Sequence, residues 1–554
     1  MHLSVLFAFN MCNFLFDLVH DADMMSFPKK WHICHFMFYR VHKKTFHMNK
    51  KSTLFILFSA FLLILSFPKV DQSYLAWVAL IPILYAIDGT PPYRTFLRGW
   101  LCGFIFYIGL IYWIVVVTTT YGKLPYPLGI LVMLLLAAYL SIYFALSFFI
   151  SRWIEGKTSF RLPITLPFVW VTMEYLRSFL FTGFPWENLG YSQYQSLSLV
   201  QLADITGVYG ISFFIVCVNT TIYLLFKSLS NKKIPYKEIV FTILVVTIAV
   251  IYGRWRLAEI IRLTNASATI KAGLIQGNVD QGIKWNRAFR KQTITTHQQL
   301  SIQALRDGTR LIIWPESSTP FYFQSELDYQ NLIFEIIHDK DAYLLLGSPS
   351  YERQNGKYRN FNSAFLLSPS NEVIGRYDKM HLVPYGEYVP LKKFFPFIDK
   401  MVEGIGAFYA GQNVSLLNLP EASFGVLICY EIIFPDLTRR FVKKGAQFLV
   451  NITNDAWFGK TSAPYQHMSM AVFRAIENRR FVARAANTGI SAFIDATGDI
   501  KTQSRLFTES RITGKISLLT IPTFYTNYGD VFALLSTLLS VALFSMAMLR
   551  KIRG

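Results

Sequence analysis

A chain of 554 residues that is 53% hydrophobic and only 16% charged lies outside the composition of an ordinary soluble enzyme, where charged residues run at roughly 25%. Its formal net charge of +20 would suit a nucleic-acid binder. The sequence carries no nucleic-acid motif, however, and many basic residues stand in short loops beside long apolar runs, which is the distribution of a membrane protein.

Residues 1–47 hold six of the ten histidines and show no helix or strand period. His32 and His35 flank Cys34 without the further spaced ligands of a zinc site. Met48-Asn49-Lys50-Lys51 ahead of an apolar run reads as a natural start, so 1–47 is expected to be a dispensable extension or a mis-called start. Apolar runs follow at 53–67, 74–87, 99–119, 127–150, 162–181, 209–226, 238–253 and 528–549. A spanning helix takes about 20 residues, and the first, second and seventh runs are short by that measure. Loop charge decides. Basic clusters stand before the first run, at Arg94 and Arg98, at Arg152 to Arg161, at Lys227 to Lys237 and after the last run. The loops between them hold Lys69, then Lys123, then no basic residue across 182–208. This alternation predicts eight spans with both ends cytoplasmic. Seven lie in 48–254 and one in 528–554, with 255–527 outside.

That outer segment is long enough for one α/β domain. Strands are expected at Thr269–Ile275, Leu311–Trp314, Tyr343–Gly347, Ser363–Leu367, Gly425–Cys429 and Phe448–Ile452. Helices are expected at Arg287–Leu305, Leu327–His338 and Gln466–Arg480. Their alternation argues for a layered α/β fold.

Three motifs carry chemistry. An apolar strand ends in Trp314-Pro315-Glu316, which sets a carboxylate at a strand tip. Arg376-Tyr377-Asp378-Lys379 opens a polar stretch that continues to Gly386-Glu387. A strand of buried character delivers Cys429, followed by Tyr430-Glu431, at its C-terminal end, where α/β sites are usually built. Of the five cysteines, Cys12, Cys34, Cys102, Cys217 and Cys429, the last is alone in the polar domain and has no disulfide partner there. Singly, each motif has a bland reading: a solvated loop Glu, a surface Lys, a core Cys. Together and in order they are far more specific. A free thiol, with a pKa of about 8.5, needs a base, and Glu316 in a restricted environment can accept its proton. Lys379 can stabilise an oxyanion, with the backbone N–H of Tyr430 as a second donor. Glu387, eight residues after Lys379, can orient Lys379 or Glu316. Its bland reading is a loop salt bridge.

The order Glu, Lys, Cys resembles the nitrilase-like superfamily. The chain resembles the apolipoprotein N-acyltransferase family in Gln276-Gly277-Asn278 with Lys284-Trp285, Trp314-Pro315-Glu316, Lys379 through Pro390, Cys429-Tyr430-Glu431, Asn451 through Gly459 and Gly183 through Glu187. The resemblance covers about 48–554 and leaves 1–47 without a counterpart. It implies an αββα nitrilase-like sandwich on an eight-helix membrane domain in the bacterial inner membrane, with the catalytic domain periplasmic. It implies acyl transfer from a phospholipid, typically phosphatidylethanolamine, through a Cys429 thioester to the α-amino group of a diacylglyceryl-cysteine at a lipoprotein N-terminus. Trp285, Tyr430, Glu431 and Trp457 carry over as supporting or substrate-binding residues. No metal or organic cofactor is needed, and His381 and His467 are expected to be structural or at the surface.

A membrane-tethered amidase acting on a small amide would use the same triad. Against it stands the apolar segment 391–411, with Phe394, Phe395 and Phe397, which a lipid donor needs and a small amide does not. This segment is expected to touch the membrane and gate lipid access. A transporter would leave paired polar or broken segments; Pro82 and Glu174 are the candidates, and no internal repeat accompanies them. The topology is testable with fused reporters. One after Gly253 is expected outside the cytoplasm and one at Gly554 inside, and finding both on one side removes the eight-span arrangement.

Overall fold

The computed structural model describes residues 49–231, 234–354, 356–388 and 408–553. The expected extension 1–47, and most of the expected gating segment 391–411, lie outside the described residues.

Among the described residues, five helices are long and apolar enough to cross a membrane: Pro92–Ile111, Tyr126–Lys157, Val208–Leu229, Tyr236–Ala266 and Val531–Leu549. Two further apolar helices, Lys50–Leu65 and Leu162–Arg177, have 16 residues each. The run 74–87 is not one helix. It divides into Ser73–Trp77 and Ile81–Ile87, because Pro82 in the first turn is pre-set to open a new helix but cannot continue an old one. The run expected to be short at 238–253 belongs to a 31-residue helix that continues to Ala266 and hands the chain to the first strand. Glycines set the bundle's closest approach: a Cβ at Gly103 would stand 2.9 Å from the Cβ of Phe144, so the helices bearing them pack nearly backbone to backbone.

Twelve strands follow among the described residues: β1 (Thr269–Gln276), β2 (Leu311–Ile313), β3 (Tyr343–Gln354), β4 (Lys357–Leu367), β5 (Val373–Asp378), β6 (Leu417–Asn418), β7 (Ser423–Ile428), β8 (Phe448–Thr453), β9 (Val482–Ala486), β10 (Ala492–Ile494), β11 (Ile500–Gln503) and β12 (Ser510–Ser517). They form two six-stranded sheets, in the orders β12-β1-β2-β3-β4-β5 and β11-β10-β9-β8-β7-β6. The centre of each is parallel, with Ala272 opposite Leu311 and Leu311 opposite Tyr343 in one, and Phe424 opposite Phe448 and Leu449 opposite Val482 in the other. Parallel strands covered on both faces read as continuous apolar runs; β2, β8 and β9 are buried at every residue. The sheets face one another, with Phe493 of β10 against Gly514 of β12. Helix Arg290–Arg306 covers one outer face through Ala304 on Gly273, and helix Pro435–Lys443 covers the other through Phe441 on Gly425. The result is an αββα sandwich.

Helix Ala463–Asn478 has every residue but Tyr465 buried, because it lies between the second sheet and the loop that joins the membrane helices. Gln466 accepts from the indole N–H groups of Trp113 (3.1 Å) and Trp186 (2.8 Å) and donates to the carbonyl of Leu110 (3.0 Å). Arg479 pairs with Asp204 at 2.8 Å, and Asp204 also takes Arg256 at 2.7 Å.

The turn after β2 passes over Gly347 so closely that a Cβ there would lie 2.7 Å from the Cα of Glu316, the carbonyl oxygen of Pro315 and the N of Ser317. These are backbone atoms that cannot rotate aside. Gly347→Ala is therefore expected to lower stability by about 1–3 kcal/mol, the usual cost of overpacking, and to displace Glu316. Thermal unfolding in detergent checks it; an unchanged midpoint means the turn has room to move.

Candidate active site

Strand ends from both sheets meet at one edge of the sandwich. Glu316 stands three residues beyond β2, where Pro315 stops the strand and Ser317 takes a positive φ of 48°. Lys379 follows β5 directly, its N–H held by the carbonyl of Asn362 at 2.8 Å. Cys429 follows β7 with φ of 53°, in the left-handed region that a residue with a Cβ seldom occupies. That sharp elbow turns the thiol out of the strand.

Lys379 is the centre of the charge arrangement. Its Nζ lies 2.9 Å from Oε1 of Glu387 and 3.5 Å from Oε1 of Glu316, with the lysine 1% exposed. Asn362 on β4 donates to both carboxylates at 2.8 Å. The second oxygen of Glu316 accepts the N–H of Asn454, 3.0 Å away at the end of β8, so this carboxylate bridges the two sheets. The second oxygen of Glu387 accepts the N–H of Val383 at 2.8 Å. Burial alone would lower the Lys379 pKa, but Glu387, Glu316 and Cys429 together hold it above its ordinary value. Burial pushes the Cys429 thiol well up, Glu316 adds to this, and Lys379 opposes it. The resting pair is thus a thiol beside an ammonium, and a thiolate forms only if a neighbour takes the proton.

Glu431 is fully buried and makes no approach to solvent. One oxygen accepts the Tyr377 hydroxyl (2.8 Å) and the N–H groups of Met380 (2.7 Å) and His381 (3.1 Å); the other accepts the N–H of Ile428 (2.7 Å). It ties the residues flanking Lys379 to the one preceding Cys429. Tyr430 packs edge-on against Phe434 at 5.1 Å and is partly exposed. Trp285 ends the short helix Gln281–Lys284 and is also partly exposed. Trp457 is 37% exposed and stacks edge-on against Tyr121, which ends a turn of the membrane part, at 4.9 Å.

Sequence reasoning missed Asn362 and Asn454. Asn362 has no signal without the pairing of β3, β4 and β5, whereas Asn454 lies within the motif that runs from Asn451 through Gly459. His467 is not at the surface: it is 1% exposed, stacked on Trp186 at 5.9 Å. Its Nδ1 meets Arg484 Nη2 at 3.0 Å and Asp455 Oδ1 at 3.1 Å, and its Nε2 meets the Cys429 carbonyl at 3.2 Å. Burial and then Arg484 lower its pKa, which favours the neutral ring. The Cys429 carbonyl can only accept, so Nε2 carries a proton and donates to it, while Nδ1 lies between the Arg484 donor and the Asp455 carboxylate.

Residues 59–221 match the family model of the apolipoprotein N-acyltransferase N-terminal domain, and residues 271–524 match that of the carbon-nitrogen hydrolases. An apolipoprotein N-acyltransferase of Geobacter metallireducens is 44% identical over 488 residues, covering 87% of this chain and 93% of the relative. One of Haemophilus influenzae is 31% identical over 510 residues, covering 90% and 95%. Among solved structures, the carbon-nitrogen hydrolase from Helicobacter pylori G27 covers 48% of this chain and 95% of its own, at 18% identity and a TM-score of 0.36.

The four bonds to Glu431 give a graded expectation. Tyr377→Phe removes one donor and should cost about 1 kcal/mol. Glu431→Gln turns one acceptor into an amide facing N–H groups and should cost about 2–4 kcal/mol, since buried donors left unmet carry their full desolvation penalty. Chemical unfolding compares the two, and equal small losses would mean that Glu431 is no brace.

Proposed function

We propose a chemistry that starts from one fact: the chain belongs to the apolipoprotein N-acyltransferase family and is a membrane enzyme of acyl transfer to lipoproteins. Cys429 gives its proton to Glu316, and the thiolate attacks an ester carbonyl of a phospholipid, phosphatidylethanolamine in the first instance. The tetrahedral oxyanion is held by Lys379 and the N–H of Tyr430. The lysophospholipid leaves with the proton from Glu316, and the acyl chain remains on Cys429 as a thioester. The α-amino group of a diacylglyceryl-cysteine then attacks. Glu316 takes the amine proton, the amide forms, and the thiol returns. Glu387 and Glu431 are positioning residues, one through Lys379 and one through the backbone on both sides of the site.

The observation that carries this reading is the bridge at Glu316, which receives Lys379 from one sheet and Asn454 from the other and so holds the base between the oxyanion donor and the strand next to Cys429. Trp457 against Tyr121 supports a lipid approach from the membrane side rather than a small soluble amide. Trp285 and Tyr430, both partly exposed, are offered as substrate contacts at the mouth. In the bacterial inner membrane, eight spans would use the shorter helices Lys50–Leu65 and Leu162–Arg177 and the broken pair Ser73–Trp77 and Ile81–Ile87 beside the five long ones. Residues 48–254 and 528–554 form the membrane part, and 255–527 the periplasmic catalytic domain.

Phospholipid alone is expected to add an acyl mass to Cys429, with no lipoprotein present. Cys429→Ala should abolish both the adduct and overall transfer. Glu316→Gln should suppress the adduct, and Lys379→Met should slow it by about 10²–10³, the cost of losing an oxyanion donor. Intact-protein mass spectrometry decides: a wild-type enzyme that transfers chains without ever gaining acyl mass on Cys429 uses direct lipid-to-amine transfer instead.

A further inference from the structure

Lys284 is a second buried ammonium at this edge. It closes the helix Gln281–Lys284, which follows β1 and is capped by the Asp280 side chain accepting the N–H of Gly282. The lysine is 1% exposed, and its Nζ donates to the backbone carbonyl of Glu316 at 3.2 Å. Among the described residues it forms no ion pair with a carboxylate. A buried ammonium that hydrogen-bonds a carbonyl and pairs directly with no carboxylate is costly. A fold keeps such a group where an anion visits.

The charges around Cys429 supply the reason. Glu316 and Glu387 bring two negative charges, and Lys379 between them brings one positive; Asp455, which also faces Cys429, is paired with Arg484 at 2.7 Å, and burial raises the Glu431 carboxyl to about 7. Glu316, Glu387 and Lys379 alone leave a net negative charge, against which a thiolate or an oxyanion would have to form. With Lys284 the four groups sum to zero. We propose that Lys284 is the charge-balancing, positioning cation of the acyl-transfer centre: it fixes the Glu316 turn through that residue's carbonyl and offsets the negative charge that develops at Cys429. This rests on the thioester reading above. The ammonium's own titration agrees with such a place: burial lowers it to about 8, while Glu316 and Cys429 pull it back up.

The experiment uses the full-length enzyme in detergent, with wild type, Lys284→Met and Lys284→Arg. Cys429 alkylation by iodoacetamide is followed by site-resolved mass spectrometry across pH, and acylation by phosphatidylethanolamine vesicles is followed in parallel. Lys284→Met should slow alkylation at neutral pH about tenfold and raise the midpoint of its pH profile by about one unit, with Lys284→Arg close to wild type. A Lys284→Met alkylation profile superimposed on wild type, whatever happens to acylation, overturns the proposal and leaves Lys284 as a prop for the turn. Should Lys284→Met not fold, wild type and Lys284→Arg decide. The cation is present below its pKa and lost above it, so wild-type acylation should fall as pH rises through about 8 and the fall should move upward in Lys284→Arg. Acylation that keeps rising with pH in wild type overturns the proposal. A wild type alkylated at Cys429 but never acylated by lipid sinks the thioester reading instead, and the alkylation profiles still judge Lys284.

Discussion

Two carboxylates share one buried ammonium, and the architecture of this edge of the sandwich follows from keeping that arrangement whole. Lys379 is as buried as a core leucine, yet it carries charge. In a low-dielectric interior its pairing with Glu387 and Glu316 is strong only while the geometry holds, and removing one partner leaves an uncompensated charge at a cost of about 3–5 kcal/mol. Asn362 keeps the carboxylates in place by donating to both. Strand β4 must therefore sit between the β2 tip and the loop bearing Glu387, and that is the order in which the sheet is built.

A second line of contacts runs from Cys429 toward the apolar helices. His467 holds the Cys429 carbonyl and stacks on Trp186, and its neighbour Gln466 bonds Trp113, Trp186 and Leu110. The elbow that presents the thiol is thus fixed to the part of the chain that lies among the apolar helices. Ser469 donates to Glu187 at 2.8 Å and Arg474 to the Tyr191 hydroxyl at 2.9 Å along the same helix. The αββα sandwich is not a free-standing unit, because one of its own covering helices has the loop between the apolar helices as its outer layer.

Much of this was legible in the sequence, and the exceptions have physical causes. Apolar strands that end in a chemical residue, such as Leu311–Ile313 before Pro315-Glu316, announce themselves by their period and by the residues at their tips. Strands such as Val482–Ala486, built of small residues around Arg484, or Ile500–Gln503, mostly polar at a sheet edge, have no apolar run to betray them. Lys379 and Glu387 were readable as a pair, but Asn362, which holds both, was not, since it acts through the pairing of strands distant in the chain; Asn454 stood inside the motif from Asn451 through Gly459, but its bond to Glu316 crosses from one sheet to the other. The same limit applied to the membrane part, where hydropathy marked the run 74–87 but not the break that Pro82 makes within it. His467 could be read only as structural or at the surface, because the groups that give it a task lie on three different elements.

The antiparallel pairing of β1 with β12 brings Thr269 opposite Ser517, so the first and last strands of the sandwich are neighbours. Closing so long a stretch of chain has an entropic cost that grows as the logarithm of its length, about 5 kcal/mol by (3/2)RT ln n. The helix Tyr236–Ala266 leads into β1, and Val531–Arg553 follows soon after β12. A bundle that already holds those two helices has met much of that cost before the sandwich closes. The membrane part thereby acts as a clamp on the unfolded ensemble of the domain, and a domain cut free of it would have to bear the whole closure entropy through its own packing.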